Sequence, residues 1–170
     1  MIYEKGGVKK EFTTSNYPWD DSTWTFVDRT DKLIQKGNAE PEIKDFAISD
    51  FDGNDHTQEI LSAEGTAYLF FLRDTKSARK DNMDKIQELV KSCTAAGHPF
   101  YILSSATKEE TEAFKNEFKL VGAELLVIDN TVSKTAMRSN PGLMVIEKGI
   151  IKNKYSFKDY SKAISSVNNN

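Results

Sequence analysis

Six consecutive apolar residues, Ala67-Tyr68-Leu69-Phe70-Phe71-Leu72, constrain this chain more than any other stretch. An unbroken apolar run of that length suits a strand covered on both faces, because a strand with one wet face alternates apolar and polar side chains. The run follows Gly65 and leads into a charged segment in which Met83, Ile86, Leu89, Val90 and Cys93 are spaced for one helical face. It reads as a central strand feeding a helix of about Ser77 to Ala96 that ends at Gly97. In an open α/β sheet such a junction gathers chemistry, since the helix start carries free backbone donors and the strand ends leave a crevice. Thr75, Lys76, Ser77 and Ala78 occupy it.

Around that strand, 170 residues leave room for one well-buried domain and an extension of about forty residues. The net charge is -3 with a pI near 5.5, and basic residues are scattered among acidic ones, so nucleic acid is not an expected partner. No apolar run approaches the roughly 20 residues of a spanning helix. The chain is therefore expected to be soluble and not to insert into a membrane by itself. Cys93 is the single cysteine, which excludes an internal disulfide, a dithiol pair and a cysteine-rich zinc site. His56 and His98 lie in turn-like contexts without paired ligand spacing, so no metal or other cofactor is expected.

Taken in order, residues 1–42 read as a small β extension. Gly6-Gly7 can turn a hairpin, Thr23 to Asp28 is rich in strand formers, and Tyr17, Trp19 and Trp24 are expected to pin the extension to the main domain. Residues 43–167 alternate strands with helices, and 168–170 are expected to form a disordered tail. Phe46 to Phe51 alternates, Asp52-Gly53-Asn54 turns, and Thr57 to Leu61 is a short helix or strand. Phe100 to Leu103 reads as a second strand, Thr107 and Glu110 are spaced as a capping box for a helix to about Lys119, and Leu125 to Ile128 is a third strand. A short helix after Asp129, a hairpin around Glu147-Lys148-Gly149 and a helix over Phe157 to Val167 complete the pattern. Helical crossovers return strands parallel and a tight turn reverses them, so a mixed sheet follows, with a parallel centre and an antiparallel hairpin at one end.

Phe46 to Gly53, Tyr68 to Phe71, and Asn140-Pro141-Gly142-Leu143-Met144-Val145-Ile146 with Lys148-Gly149 resemble the landmarks of the peroxiredoxin and TlpA-like branch of the thioredoxin superfamily. The resemblance implies a three-layer α/β/α fold with a mixed central sheet. It also implies a cis proline before the hairpin, facing the redox turn, and Pro141 matches that proline. Thr75-Lys76-Ser77-Ala78 stands where the branch carries Cys-x-x-Cys, with Arg79-Lys80 following as they often do. More narrowly, Ser22 to Asp28 and Met137 to Met144 are similar to the C-terminal soluble region of DoxX-like membrane proteins of Bacteroides-type bacteria. That likeness implies a domain at the periplasmic face of the inner membrane. Its partner would be the membrane portion of the same polypeptide or a periplasmic protein or peptide.

Thiol–disulfide exchange needs one thiolate to attack and a second thiol to resolve. Thr75 and Ala78 supply neither, and Cys93 falls on the apolar face of its helix, so a redox-inactive domain is expected. What remains is a groove between Thr75, Lys76, Ser77, Ala78 and Asn140, Pro141, able to offer backbone hydrogen bonds to an extended peptide or small anion. Lys76, Arg79 and Lys80 would add positive charge, and a plain solvated helix start is the competing reading. An enzymatic alternative begins at Asp50-Phe51-Asp52-Gly53, which also resembles the opening motif of haloacid-dehalogenase-type phosphatases. That resemblance implies Asp50 as nucleophile, Asp52 as general acid, Ser104 as phosphate ligand, Lys119 as charge partner and Asp129 as magnesium ligand. An ordinary Asp-Gly turn is the reading that competes with it.

Overall fold

The structure, a computed structural model, describes residues 1–29 and 46–167. The chain divides into two compact units, Met1–Glu40 and Pro41–Asn170. The expected boundary at Pro41 and the expected tail at 168–170 lie outside the described residues.

In the first unit β1 (Ile2–Lys5), β2 (Val8–Glu11) and β3 (Thr25–Asp28) form an antiparallel sheet in the order β2-β1-β3. Gly6 and Gly7 both take positive φ and make the expected turn. β3 starts two residues later than the strand expected at Thr23, because the Asp21 carboxylate accepts hydrogen bonds from the Thr23 N–H and hydroxyl and holds that residue in a turn. Tyr3 packs against Phe12, Tyr17 and Phe26, and Phe12 packs edge-on against Trp24. Trp19, expected among the packing aromatics, is 76% exposed.

The second unit runs β4 (Ile48–Ser49), α1 (Thr57–Ser62), β5 (Thr66–Leu72), α2 (Met83–Ala96), β6 (Phe100–Ser104), α3 (Lys108–Glu117), β7 (Glu124–Ile128), α4 (Asn130–Ala136), β8 (Gly142–Glu147), β9 (Ile150–Ser156) and α5 (Tyr160–Val167). Its six strands form one sheet in the order β4-β7-β6-β5-β8-β9. β5, β6 and β7 are mutually parallel, while β8, β9 and the two-residue β4 run antiparallel to their neighbours. The mixed sheet and its terminal hairpin are as the sequence predicts; the antiparallel edge at β4 is not foreseen.

Every residue of β5 is buried, and its alternation divides the core in two. Tyr68, Phe70 and Leu72 face Ile86, Leu89, Val90 and Cys93 of α2, Phe114 of α3, and Tyr160 and Ala163 of α5. Ala67, Leu69 and Phe71 face the other way, against Ile48, Ile60 of α1 and Met137, with Val132 and Ala136 of α4 packed at the margin. The result is three layers, helices on both faces of a mixed sheet.

Local signals place most helix ends. Thr107 and Glu110 form the reciprocal capping box of α3, Asp129 accepts from the Thr131 and Val132 N–H groups to start α4, and Gly97 ends α2 at φ 74°. Lys148 and Gly149 both adopt positive φ, which gives the two-residue turn whose twist suits β8 and β9. Three boundaries differ from expectation. α3 stops at Glu117, α5 begins at Tyr160, and α2 begins at Met83, six residues after Ser77. Asn82 at φ 59° accounts for the last of these, because a left-handed residue cannot sit inside a right-handed helix.

Phe70 touches the α2 and α5 layer from the middle strand and is fully buried. Phe70→Ala should lower the unfolding free energy by about 3–5 kcal/mol, read from urea denaturation.

Candidate functional site

Beyond Leu72 the chain leaves the sheet, and beyond α4 it returns through Met137 to Pro141 before β8; the two loops meet at the strand ends. Asn140, 67 residues from Arg73 in sequence, joins them with one side chain. Its Oδ1 accepts from the Arg73 N–H at 3.0 Å, with the Asp74 N–H at 3.5 Å. Its Nδ2 donates to the Asp74 carbonyl at 2.8 Å and to Ser77 Oγ at 3.2 Å. The main chain adds a fifth contact, Arg79 N–H to the Asn140 carbonyl at 2.9 Å. The Asn140-Pro141 bond is cis, as the resemblance implies, and the buried Tyr160 hydroxyl donates to the Pro141 carbonyl at 3.1 Å.

Of the six residues expected to line a groove, Asn140 is bonded directly to Ser77, and its other bonds go to Arg73, Asp74 and Arg79 on either side of the Thr75-to-Ala78 turn. The two N–H groups at the end of β5 are taken by Asn140, so they are not free for a peptide or an anion. Ala78 is buried in the core, and the Thr75-to-Ala78 turn is not at a helix start, because Lys76 to Asn82 is irregular and α2 begins at Met83. The Asp74 carboxyl lies below the usual carboxylate range, held first by the Ser77 hydroxyl and then by the Lys76 N–H. The cations are also engaged: Lys80 pairs with Glu117 at 2.7 Å, Lys76 with Glu110 at 3.7 Å, and the Arg79 guanidinium lies 4.5 Å from the centre of the Phe157 ring. These exposed pairs each add little stability, yet they leave no concentrated positive field at the turn.

Cys93 lies on α2, fully buried between Tyr68 and the rest of that core. Burial pushes its thiol up to about 12, so the thiolate needed for attack is scarcely present at neutral pH.

The phosphatase residues are structural. The Asp50 carboxylate accepts from the Asn54 side chain at 2.7 Å and from the Asn54 and Asp52 N–H groups at 2.9 Å each, closing the Asp-Gly turn. Those bonds, the Asn54 side chain first, hold it down to about 2. Ser104 is fully buried and accepts from Thr111 Oγ and the Ala106 N–H; Asp129 caps α4; Lys119 occupies a left-handed position after α3. Asp50 follows the antiparallel edge strand β4, apart from the parallel centre. The plain Asp-Gly turn is formed at Asp50 to Gly53.

One cluster escaped the sequence reading. His56 Nδ1 lies 3.0 Å from Glu59 and its Nε2 3.5 Å from Asp50, beside Tyr101 and Lys115 in an open cleft of about 450 Å³. The i,i+3 spacing of His56 and Glu59 was the available signal, and it requires α1 to be a helix. Glu59 first, then Asp50, raise the His56 pKa above its ordinary value.

Among solved structures, the chain is similar to a thiol:disulfide interchange protein from Bacteroides sp., at 14% identity over 72% of this chain and 86% of that one, TM-score 0.51. Reduced Prx3 from Vibrio vulnificus aligns at 13% identity over 72% and 92%, TM-score 0.54. A putative thioredoxin from Neisseria meningitidis aligns at 15% over 74% and 88%, TM-score 0.52. A family model described as a domain of unknown function (DUF8463) matches residues 1–36. No curated protein matches the chain.

Asn140→Ala should cost about 1–3 kcal/mol in urea denaturation, because it strands two backbone donors and a carbonyl at once. A raised folded-state pKa means that the His56 contacts stabilise fully below the unfolded value of about 6.5 and lose that effect as pH rises through the folded value. The stability difference between the parent chain and His56→Gln should accordingly be larger at about pH 5.5 than at about pH 8.5, by thermal denaturation. With α/β order, cis Pro141 and structural relatives in agreement, the second unit has a thioredoxin-like fold with a single cysteine and no Cys-x-x-Cys pair.

Proposed function

We propose that this chain carries a non-catalytic thioredoxin-like domain that works as a binding or interaction module. The observation that carries the reading is the Asn140 junction: the place where exchange chemistry would need two sulfur atoms and open backbone donors holds neither. The remaining thiol lies in the α2 core with its pKa pushed up by burial, which supports the same conclusion from a second direction. Recognition at the junction would fall to the exposed side chains of Lys76, Ser77 and Arg79 with the half-buried Thr75, while Ala78 and Pro141 are buried beneath them and Asn140 is half-buried.

The setting is part of the proposal. Ser22 to Asp28 and Met137 to Met144 are the stretches similar to the soluble region of DoxX-like membrane proteins, and on them rests placement at the periplasmic face of a bacterial inner membrane. Among the described residues no helix is long and apolar enough to cross a membrane. A membrane portion of the same polypeptide, or a periplasmic protein, is the partner this reading supplies.

With dithiothreitol as reductant, the chain should precipitate insulin no faster than its Cys93→Ala variant. Turnover above that control would overturn the redox-inactive assignment. Cys93 should also react with a disulfide reagent only after denaturant is added.

A further inference from the structure

We infer that the trough beside the β8–β9 hairpin binds an aliphatic carboxylate, its tail on the apolar floor and its head on Lys154 and Arg138. The inference rests on the reading of this domain as a binding module, and its apolar end lies on the β8–β9 hairpin while its cationic end borders the loop that leads into Asn140.

The floor and walls are Leu69, Met144, Ile146, Ile151, Leu61 and Phe46, around an open cleft of about 390 Å³, within the range of small-ligand sites. Leu69, Met144 and Ile146 are buried, whereas Ile151 is 51% exposed and Ile150 64% exposed on the same hairpin. A second cleft, also of about 390 Å³, shares Thr135, Ala136 and Lys154 with the trough and is lined further by Arg138, Ser139 and Ser156. One long site thus changes along its length from apolar to cationic.

A β-bulge creates that change. Ile146 faces Ile151 and Val145 faces Asn153, so Lys152 is the extra residue, and Met144 then faces Lys154. Residues three apart on a regular strand point to opposite faces, but across this bulge Ile151 and Lys154 lie on one face, opposite two core residues of β8. The ammonium is thereby set at the end of the apolar floor. Gly149 closes the opposite end: any Cβ there would stand 2.8 Å from the Leu61 carbonyl, so the hairpin turn lies directly on the end of α1.

The polar end is short of acceptors. Lys154 Nζ donates to the Ala136 carbonyl at 2.9 Å, which uses one of three donors and leaves its charge without a carboxylate partner. Arg138 is exposed and makes no hydrogen bond or ion pair among the described residues. Ser139 Oγ is buried with no hydrogen-bond partner. Elsewhere on this hairpin the lysines are neutralised, Lys148 by Glu64 and Lys152 by Glu147, each at 2.6 Å. Two uncompensated cations and an unpartnered hydroxyl at the end of an apolar trough are complementary to an anion with a hydrocarbon tail, and a carboxylate can accept from both cations at once.

The test is amide NMR titration of the full chain with dodecanoate below its micelle concentration, with dodecanol and acetate as partial ligands. Saturable shifts at Leu61, Ala136, Met144 and Ile151 are expected, with dodecanol and acetate each bound about tenfold more weakly or worse. Arg138→Glu and Lys154→Glu should each weaken dodecanoate by about tenfold, and Ile151→Glu should abolish the shifts. Lys91→Glu, on the outer face of α2, should change nothing. Because Lys154 also holds the Ala136 carbonyl, Arg138→Glu is the variant that tests the head site without touching a structural bond. Absence of saturable shifts, shifts centred on other residues, dodecanol binding equal to dodecanoate, or undiminished affinity in Arg138→Glu would each overturn the inference. Any of these would leave the insulin result, and with it the redox-inactive assignment, untouched.

Discussion

The Asn140 carboxamide is the contact on which the strand-end region depends, because one side chain takes two backbone N–H groups and gives to a backbone carbonyl of the segment after β5. The two loops it joins are separated by 67 residues in sequence and meet only because β5 and β8 are paired neighbours. An amide can accept and donate at once, and Asn140 does both, taking the Arg73 N–H and giving to the Asp74 carbonyl. An aspartate would lose the donation and a leucine would lose everything. Buried or half-buried backbone groups that lose their partners cost more than the bonds themselves contribute, so this side chain determines whether the junction is closed.

Closure explains the other departures from a working exchanger. Arg79 N–H is bound to the Asn140 carbonyl and Ala78 is in the core, so the irregular segment after β5 is tied down at two points. It cannot begin a helix there, and α2 waits until Asn82 has turned the chain through a left-handed conformation. At that helix start the Asn82 side chain donates to the Phe157 carbonyl. A thiol placed at Thr75 or Ala78 would not stand at the start of α2, which begins at Met83.

Most of the fold was legible because local and global signals agree in this chain. The apolar run at β5, the capping box at Thr107, the cap at Gly97 and the turn at Lys148-Gly149 each describe the backbone within a few residues, and the structure keeps them all. Other features were not legible. The Asn140 closure, the late start of α2 and the bulge at Lys152 are set by partners distant in sequence or by register, and neither leaves a periodic trace. At Asp50 the local signal is enough, since the Asp-Gly turn that the residues encode is the one formed. The His56 cluster was hidden because Asp50 and Glu59 come together only once Thr57 to Ser62 is known to be a helix.

Closing one end of the sheet also changes which surface is left to act. β8 is held at its start by the Tyr160 hydroxyl on the Pro141 carbonyl and at its end by the Gly149 approach to Leu61. β9 has β8 on one side only and ends the strand order, and with an extra residue it presents Ile151 and Lys154 together. A bulge that served only to blunt an edge would do so equally well with polar residues at both positions. Keeping a half-exposed isoleucine on the trough face, in line with a lysine that has no acidic partner, retains apolar contact and charge where a solubility constraint alone would remove the first.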